Sequence, residues 1–420
     1  MKKLLYSLSA LLWATSQAFG QPTPLTIETC YEQARQNYPL IKQKDLLTKS
    51  LRFTIANAHS AYLPQVSING QATYQSEVTR LPGSAVLVEP LSKDQYKIYG
   101  EINQSILDGG VTKNQTNIQR VSTQIEQQKL EVELFKIKER INQLFFGILL
   151  IDAQLKQVDL LKKDLQTSLL KTESAILNGM AFKSNADILK AELLKSDQRI
   201  IEMKAARLAY LDMLGYFTNQ QLDDTVTLNE SVIAIANGVQ EINRPELSLY
   251  NFQSQLLGTQ YHANNSRNLP RVGFFLQGGY GRPGLNALVN EFAGYYIGGF
   301  RLNWSLSGLY NSFRDKQLLD LNVQQVNNQK ETFLFNTNLQ LKQQSRDVQK
   351  LVDLIEVDNQ IIELRTRIAI TTKAQHENGV ISTSDYLREL NSEDLAKQNK
   401  LLHQVQLMLA QYSYQNISGN

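Results

Sequence analysis

One cysteine in 420 residues leaves no partner for an intramolecular disulfide and no pair for a CxxC metal knuckle. That residue, Cys30, stands at helical spacing among Ile27, Tyr31 and Ala34, which predicts a packed core thiol. Histidine is nearly as scarce. His59, His262, His376 and His403 lie far apart and form neither HExxH nor any paired zinc-ligand spacing. GxSxG, a Walker loop and GxGxxG are all missing, so neither an enzyme active site nor a cofactor or metal site is expected. Charge of one sign is missing too: 43 Lys and Arg against 40 Asp and Glu give a net charge of +3, which makes no electrostatic footprint for nucleic acid. Beyond residue 20 no apolar run approaches the roughly 18 residues of a helical membrane span. Any membrane crossing would have to use strands.

What is present begins at the N-terminus. Lys2 and Lys3 precede a mostly apolar run from Leu4 to Trp13, and Ala18-Phe19-Gly20 supplies small residues. This is the pattern of a removable secretory signal over residues 1–20, with cleavage expected before Gln21. No cysteine follows that site, so no lipid anchor is expected. Removing Lys2 and Lys3 from the 43 basic residues leaves 41 against 40 acidic ones, a net charge of +1.

Proline is absent over two long tracts. The nine prolines stand at 22, 24, 39, 64, 82, 90, 245, 270 and 283. Because proline costs about 3 kcal/mol inside a helix, 91–244 and 284–420 are where uninterrupted helices are expected. In the first tract Leu130, Leu134, Ile137, Ile141, Leu144, Ile148, Ile151, Leu155, Val158, Leu165 and Leu169 alternate at spacings of four and three, broken only at Lys162. Such a seam marks side-by-side helix packing. Phe135, Phe145, Phe146 and Leu149 add apolar surface away from it, so the helix can hold neighbours on both sides. The second tract is looser, with one row at Val348, Ile355 and Ile362 and another at Leu354, Ile361 and Ile368. A helix from Gly110 to Asn178 would run roughly 100 Å, suited to bridging a wide compartment.

Elsewhere the period falls to two. Strands are expected at about 65–76, 96–106, 271–280 and 296–306. Val66, Ile68, Ala72 and Tyr74 alternate with polar residues in the first. Tyr96, Ile98, Ile102 and Ile106 do so in the second, Val272, Phe274, Leu276 and Tyr280 form the third, and Phe300, Leu302, Trp304 and Leu306 the fourth. About ten residues, apolar on one face and polar on the other, suit a transmembrane β-strand. They also suit a soluble antiparallel sheet packed on the helices. The long segments Glu77–Asp94 and Gly281–Tyr295 are expected as loops.

The halves repeat. Leu63-Pro64-Gln65-Val66 returns as Leu269-Pro270-Arg271-Val272, and Leu107-Asp108-Gly109 as Leu306-Ser307-Gly308. Asn178-Gly179, with Ser184 and Asp187, returns as Asn378-Gly379, with Ser382 and Asp385. A unit of about 200 residues (helix, strand, strand, very long helix, turn, helix) therefore occurs at 21–243 and again at 244–420. Four strands cannot close a barrel, and lipid does not tolerate an open edge. If these strands enter a membrane, several copies must combine.

In this order, twice over, these strings resemble the TolC family of outer-membrane efflux proteins across essentially the whole mature chain. Leu25-Thr26-Ile27-Glu28 opening a helix toward Asn37-Tyr38-Pro39, Ala61-Tyr62-Leu63-Pro64 before the first strand, and Leu107-Asp108-Gly109-Gly110 after the second complete the match. The resemblance implies a mainly α fold with a small β part, assembled as a homotrimer. Its twelve strands would form one outer-membrane β-barrel in contact with lipid, continued across the periplasm by an α-helical coiled-coil barrel. It further implies passive conduction, in a tripartite efflux or secretion system with a periplasmic adaptor (a membrane fusion protein) and an inner-membrane pump of the RND or ABC kind. Asn178, Gly179, Ser184, Asp187, Asn378, Gly379, Ser382 and Asp385 would form the channel tip and meet the adaptor, with Ser184 and Ser382 capping the helices that follow. The position of a gating arginine falls on Ile381 and that of a selectivity aspartate on Asp385, while a second aspartate is replaced by Arg388. The gate candidates are thus Ile381, Asp385 and Arg388, with Arg388 able to pair with Asp385. The competing assignments are a periplasmic adaptor, which would show one helical hairpin flanked by compact β-rich domains, and a soluble coiled-coil scaffold, which would leave the strands without a role.

Overall fold

A computed structural model describes residues 24–79, 91–229 and 241–420. The expected signal at 1–20 lies outside these residues, as does most of the expected loop 77–94. Thr26 starts α1 (Ile27–Asn37), its hydroxyl accepting from the Thr29 amide, and the helix gives out at Tyr38, ahead of Pro39. A 3₁₀ turn (Pro39–Ile41) leads into α2 (Lys42–His59), and a second one (Ser60–Tyr62) leads into β1 (Gln65–Tyr74) and β2 (Asp94–Leu107). There follow α3 (Val111–Leu177) and α4 (Lys183–Thr218), then α5 (Pro245–Arg267), β3 (Arg271–Arg282), β4 (Ala293–Asn303), α6 (Leu309–Glu377) and α7 (Thr383–Ser418). The two proline-free tracts hold the two very long helices, of 67 and 69 residues.

The chain forms two compact units, and each draws on both halves of the sequence. One comprises Lys42–Glu131 and Pro245–Leu334 and carries the sheet. Its strands run β1-β2-β3-β4, all antiparallel. Proline sets where the sheet begins: Pro64 and Pro270 have no N–H to donate, and the registers start at Gln65 opposite Asn103 and at Arg271 opposite Asn303. That pairing corrects the fourth strand, which was expected at 296–306. With no partner residue before Arg271, β4 stops at Asn303, and Trp304 instead donates its indole N–H to the Asn268 carbonyl at 3.0 Å. Ile106 is likewise not in the alternating row. The β2–β3 register jumps between Ser105 and Leu107, so Ile106 is the extra residue of a bulge and Leu107 takes its place opposite Val272. The expected loop 281–295 shrinks to 283–292, because β3 runs to Arg282 and β4 starts at Ala293.

The other unit comprises residues up to Ile41, Val132–Arg244 and Phe335–Asn420. The seam on α3 is its core: Leu134, Ile137, Ile141, Ile148, Val158 and Leu165 are buried, as are Phe145, Phe146 and Leu149 on the second stripe. Where Lys162 breaks the seam, Leu161 is buried in its stead and Lys162 reaches Asp197 on α4 at 2.5 Å. On α6 the row of Val348, Ile355 and Ile362 is half-buried, while Ile361 and Ile368 of the second row stay exposed. A buried cation joins α3 to α4 and to the chain beyond it. The Arg207 side chain, only 7% exposed, donates to Asp152 (2.5 Å), to the side chain of Asp224 (2.8 Å) and to the Val226 carbonyl (2.7 Å). Nearby, Leu25 pairs with Leu228 in an isolated parallel bridge.

Cys30 is fully buried between Ile27 and Ala34 on α1, the packed thiol expected from its spacing. Burial pushes its pKa up to about 12. Since the thiolate is the reactive form, Cys30 is expected to resist alkylation by maleimide at pH 8 in the native protein and to react at once in denaturant, as mass spectrometry of the labelled chain would show.

Candidate functional site

Two features stand out by geometry: the turns joining each very long helix to its return helix, and the outer surface of the sheet. At the first turn Gly179 has φ +71°, and at the second Gly379 has φ +73°. A Cβ at either would meet nothing within 4 Å, so glycine is favoured by backbone conformation and not by space. The same hydrogen bonds close both turns. The Met180 amide donates to Ala175 and that of Val380 to Gln375, each at 2.8 Å, while the Gly179 and Gly379 amides donate to Ile176 and His376, each at 3.0 Å. These are Schellman closures. Asn178 and Asn378 add side-chain bonds to the carbonyls of Ser174 and Ala374.

The turns superpose at a constant offset of 200 residues, and the helices after them start in step at Lys183 and Thr383. This corrects the pairing of Ser184 with Ser382 and of Asp187 with Asp385. The residue opposite Ser382 is Phe182, which caps nothing through its side chain, and the one opposite Asp385 is Asn185. Ser184 lies inside α4, and Asp187 is exposed on its surface. Of the two return helices, only α7 has a polar cap. The Ser382 hydroxyl accepts from the Asp385 amide at 3.1 Å and donates to the Asp385 carboxylate at 2.7 Å, a reciprocal arrangement. Ser382→Ala is therefore expected to destabilise α7 by about 1 kcal/mol and Ser184→Ala to leave stability nearly unchanged, a contrast that thermal unfolding of the two variants would measure.

Asp385 also receives Arg388 at 2.8 Å, within the same chain. The Ser382 hydroxyl, and after it the Arg388 charge, hold its carboxyl below the usual aspartate range. A depressed folded pKa stabilises above the ordinary value of 3.8 and loses that contribution as pH falls through the lower, folded one. Ile381 faces inward. It packs on a cluster of Leu161 and Leu165 from α3, Leu189 from α4, and Tyr386, Leu387 and Leu390 from α7.

Sequence reasoning missed the centre of this region. The buried Tyr386 shares a hydrogen bond with Ser168 on α3 (3.0 Å), and its ring stacks on His376 of α6 at 5.0 Å. His376 in turn meets the Thr383 hydroxyl at 3.0 Å. Burial draws His376 below the usual histidine range and raises Tyr386, so both are neutral at pH 7. Ion pairs reinforce these contacts, Lys171 with Glu377 at 2.6 Å and Lys190 with Glu173 at 3.0 Å. The exposed turn residues differ in character: Leu177, Met180 and Phe182 at the first, Val380 alone at the second.

The sheet is two-sided. By register, Val66, Ile68, Ala72 and Tyr74 share a face with Tyr96, Ile98, Ile102, Val272, Phe274, Leu276, Tyr280, Tyr296, Phe300 and Leu302, interrupted only by glycines and Gln104 between its charged ends, Asp94 and Arg282. This apolar face is bare: Val66 is 71% exposed, Ile68 81% and Phe300 74%. The opposite face carries Gln65, Ser67, Asn69, Gln71, Thr73, Glu101, Asn103 and Gln277 with Lys97, Arg271 and Arg301, and it is mostly but not wholly polar, since Tyr99, Phe275, Tyr295 and Ile297 also lie on it. Both outer strands, β1 and β4, keep an unpaired edge. A soluble sheet packed on its helices would have hidden the apolar face instead.

Among the described residues no helix is long and apolar enough to cross a membrane, and no cluster of potential metal ligands exists. No protein-family model matches the chain, and neither does any curated sequence. Solved structures do. The outer membrane protein VceC of Vibrio cholerae matches with a TM-score of 0.67 at 13% identity, over 94% of this chain and 96% of that one. This is the fold of an outer-membrane channel subunit. Two further matches share it: CusC, whose crystal structures concern conformational changes accompanying folding and transmembrane channel formation (TM-score 0.68, 13% identity, 96% and 95% of the two chains), and the open state of the MtrE outer membrane channel of Neisseria gonorrhoeae (0.65, 10%, 94% and 89%). In this channel fold a small antiparallel sheet accompanies very long helices, as the sequence pattern led one to expect.

Proposed function

We propose that this chain is the outer-membrane subunit of a tripartite efflux or secretion system, passively conducting substrates from a periplasmic tip to the exterior. The observation that carries this reading is the four-stranded sheet with one bare apolar face and two unpaired edges. Bare apolar strands are at home in lipid, and an open edge there must be closed. Three identical chains would close it as a twelve-stranded barrel, with the half-exposed second row of α6 meeting a neighbouring copy along the helical part. The halves 21–243 and 244–420 are then two copies of one ancestral unit. Driving energy would come from an inner-membrane pump through a periplasmic adaptor that docks at the turns around Asn178-Gly179 and Asn378-Gly379. A freestanding adaptor or a coiled-coil scaffold would have no use for the bare face.

At the tip, Asp385 and Arg388 satisfy each other, and Ile381 adds packing to the apolar cluster, so closure would rest on that cluster and the His376–Tyr386–Ser168 contacts more than on unpaired carboxylates. The deciding experiment is to purify the chain from outer membranes in mild detergent, determine its mass by light scattering, and record conductance in planar bilayers. A detergent-dependent trimer that forms channels is expected, with ion selectivity altered by Asp385→Ala and Arg388→Ala. A monomer soluble without detergent would overturn the proposal.

A further inference from the structure

The polar face of the sheet is not electrically balanced. Its charged residues, placed by register, are Lys97 and Glu101 on β2, Arg271 on β3 and Arg301 on β4, three cations to one acid. The acid is already engaged: Glu101 accepts from Asn103 at 3.0 Å and has Arg301 3.8 Å away, the Arg301 guanidinium lying over Phe275 at 4.6 Å. Among the described residues, no acid lies within ion-pair distance of Lys97 or Arg271. Glu77 and Glu291 lie beyond the strand ends farthest from Arg271 and Arg301, and the two acids nearest the strands are engaged elsewhere. Asp94 is held by Arg282 at 2.5 Å on the other face, and Asp108 caps α3, accepting from the Gly110 and Thr112 amides at 2.8 Å each.

The excess is also concentrated. Arg271 opens β3 and Arg301 stands two residues before the end of β4, so both guanidiniums lie at the end of the sheet nearer the helices. Both border one groove with Gln65, Asn103 and Asn303. On β1, which would meet the next copy, this face carries only Gln65, Ser67, Asn69, Gln71 and Thr73. A neighbouring subunit therefore brings no carboxylate to the seam.

We infer that this face is an anion-selective lining, with Arg271 and Arg301 forming its ring and Lys97 extending it, so that the barrel favours anionic substrates over cationic ones. The inference rests on the channel reading above, which turns the polar face toward the aqueous lumen. Three copies would place six guanidiniums at one level. Rings of Arg and Lys select anions by raising the local anion concentration, and the effect is largest when the Debye length, about 10 Å at 0.1 M salt, reaches across much of the lumen.

The test is reversal-potential measurement in planar bilayers across a potassium chloride gradient at low salt, using the full chain purified in detergent. Wild type is expected to pass chloride more readily than potassium. The Lys97→Gln/Arg271→Gln variant, which leaves the Glu101–Arg301 contact untouched, should lower the chloride-to-potassium permeability ratio several-fold at similar conductance, and Lys97→Glu/Arg271→Glu should invert the preference. Cation selectivity in wild type, or an unchanged ratio in variants that conduct normally, would overturn the inference while leaving the channel reading intact. Complete lack of conductance by wild type would overturn both.

Discussion

Leu276→Arg is expected to remove the protein from the outer-membrane fraction, whereas Gln277→Arg, one residue along the same strand, is expected to leave assembly intact. The residues sit near the middle of β3 on opposite faces. Leu276 belongs to the bare apolar face, opposite Ile102 and Gly298, and Gln277 lies on the polar face opposite Glu101 and Ile297. A lipid-facing arginine near the bilayer midplane costs about 2–4 kcal/mol, and in the proposed three-chain barrel the cost would recur, reaching roughly 6–12 kcal/mol. That rivals the whole stability of an ordinary domain. On the polar face a guanidinium stays in water, beside an existing carboxylate. Membrane fractionation and unheated gel migration of the two variants would read the difference directly. Equal assembly of both would mean that the apolar face does not meet lipid.

The second large effect concerns Arg207. Replacing it with methionine is expected to destabilise the unit containing α3 and α4 by about 3 kcal/mol, read as a lower midpoint of denaturant unfolding. Breaking a buried ion pair from one side costs about 3–5 kcal/mol. The lower end applies because Asp152 and Asp224 keep 25% and 57% of their side-chain surface in water and can be rehydrated. Arg207→Lys should recover little. The guanidinium serves Asp152, Asp224 and the Val226 carbonyl in three directions at once, a fork that one ammonium cannot reproduce. Since Val226 and Leu228 lie in the same stretch that pairs with Leu25, loss of the cation should also loosen the start of α1, raising proteolytic cleavage there.

The strands were legible because apolar and polar residues alternate through most of β1 and β2 and at the end of β4, and a period of two survives in any window that includes them. Their ends were not, because an end depends on a partner. Trp304 and Leu306 continue the alternation of β4, yet pairing stops at Asn303 for want of a donor at Pro270. Ile106 fits its row by number and leaves it through a bulge that only the opposing strand reveals. The long helices announced themselves through the absence of proline and the four-three seam, which is a property of one helix. The turns were found through Asn-Gly, whose positive φ is local. Their register was misread because Ser and Asp recur two residues out of step, and only backbone geometry shows Phe182 opposite Ser382. Ser168, His376 and Tyr386 left no trace at all. A hydroxyl–phenol–imidazole contact among three helices has no spacing in sequence, and the same holds for Arg207 and its carboxylates.

The order of strands also governs how the molecule can mature. β2 and β3 are neighbours in the sheet although α3, α4 and α5 all intervene between them along the chain. Contacts so distant in sequence form late. The β1–β2 hairpin must therefore exist for a time as an orphan, greasy on one side and unpaired along an edge, the kind of species that aggregates. A defect confined to β3 or β4 is therefore expected to show first as aggregation through the exposed N-terminal hairpin.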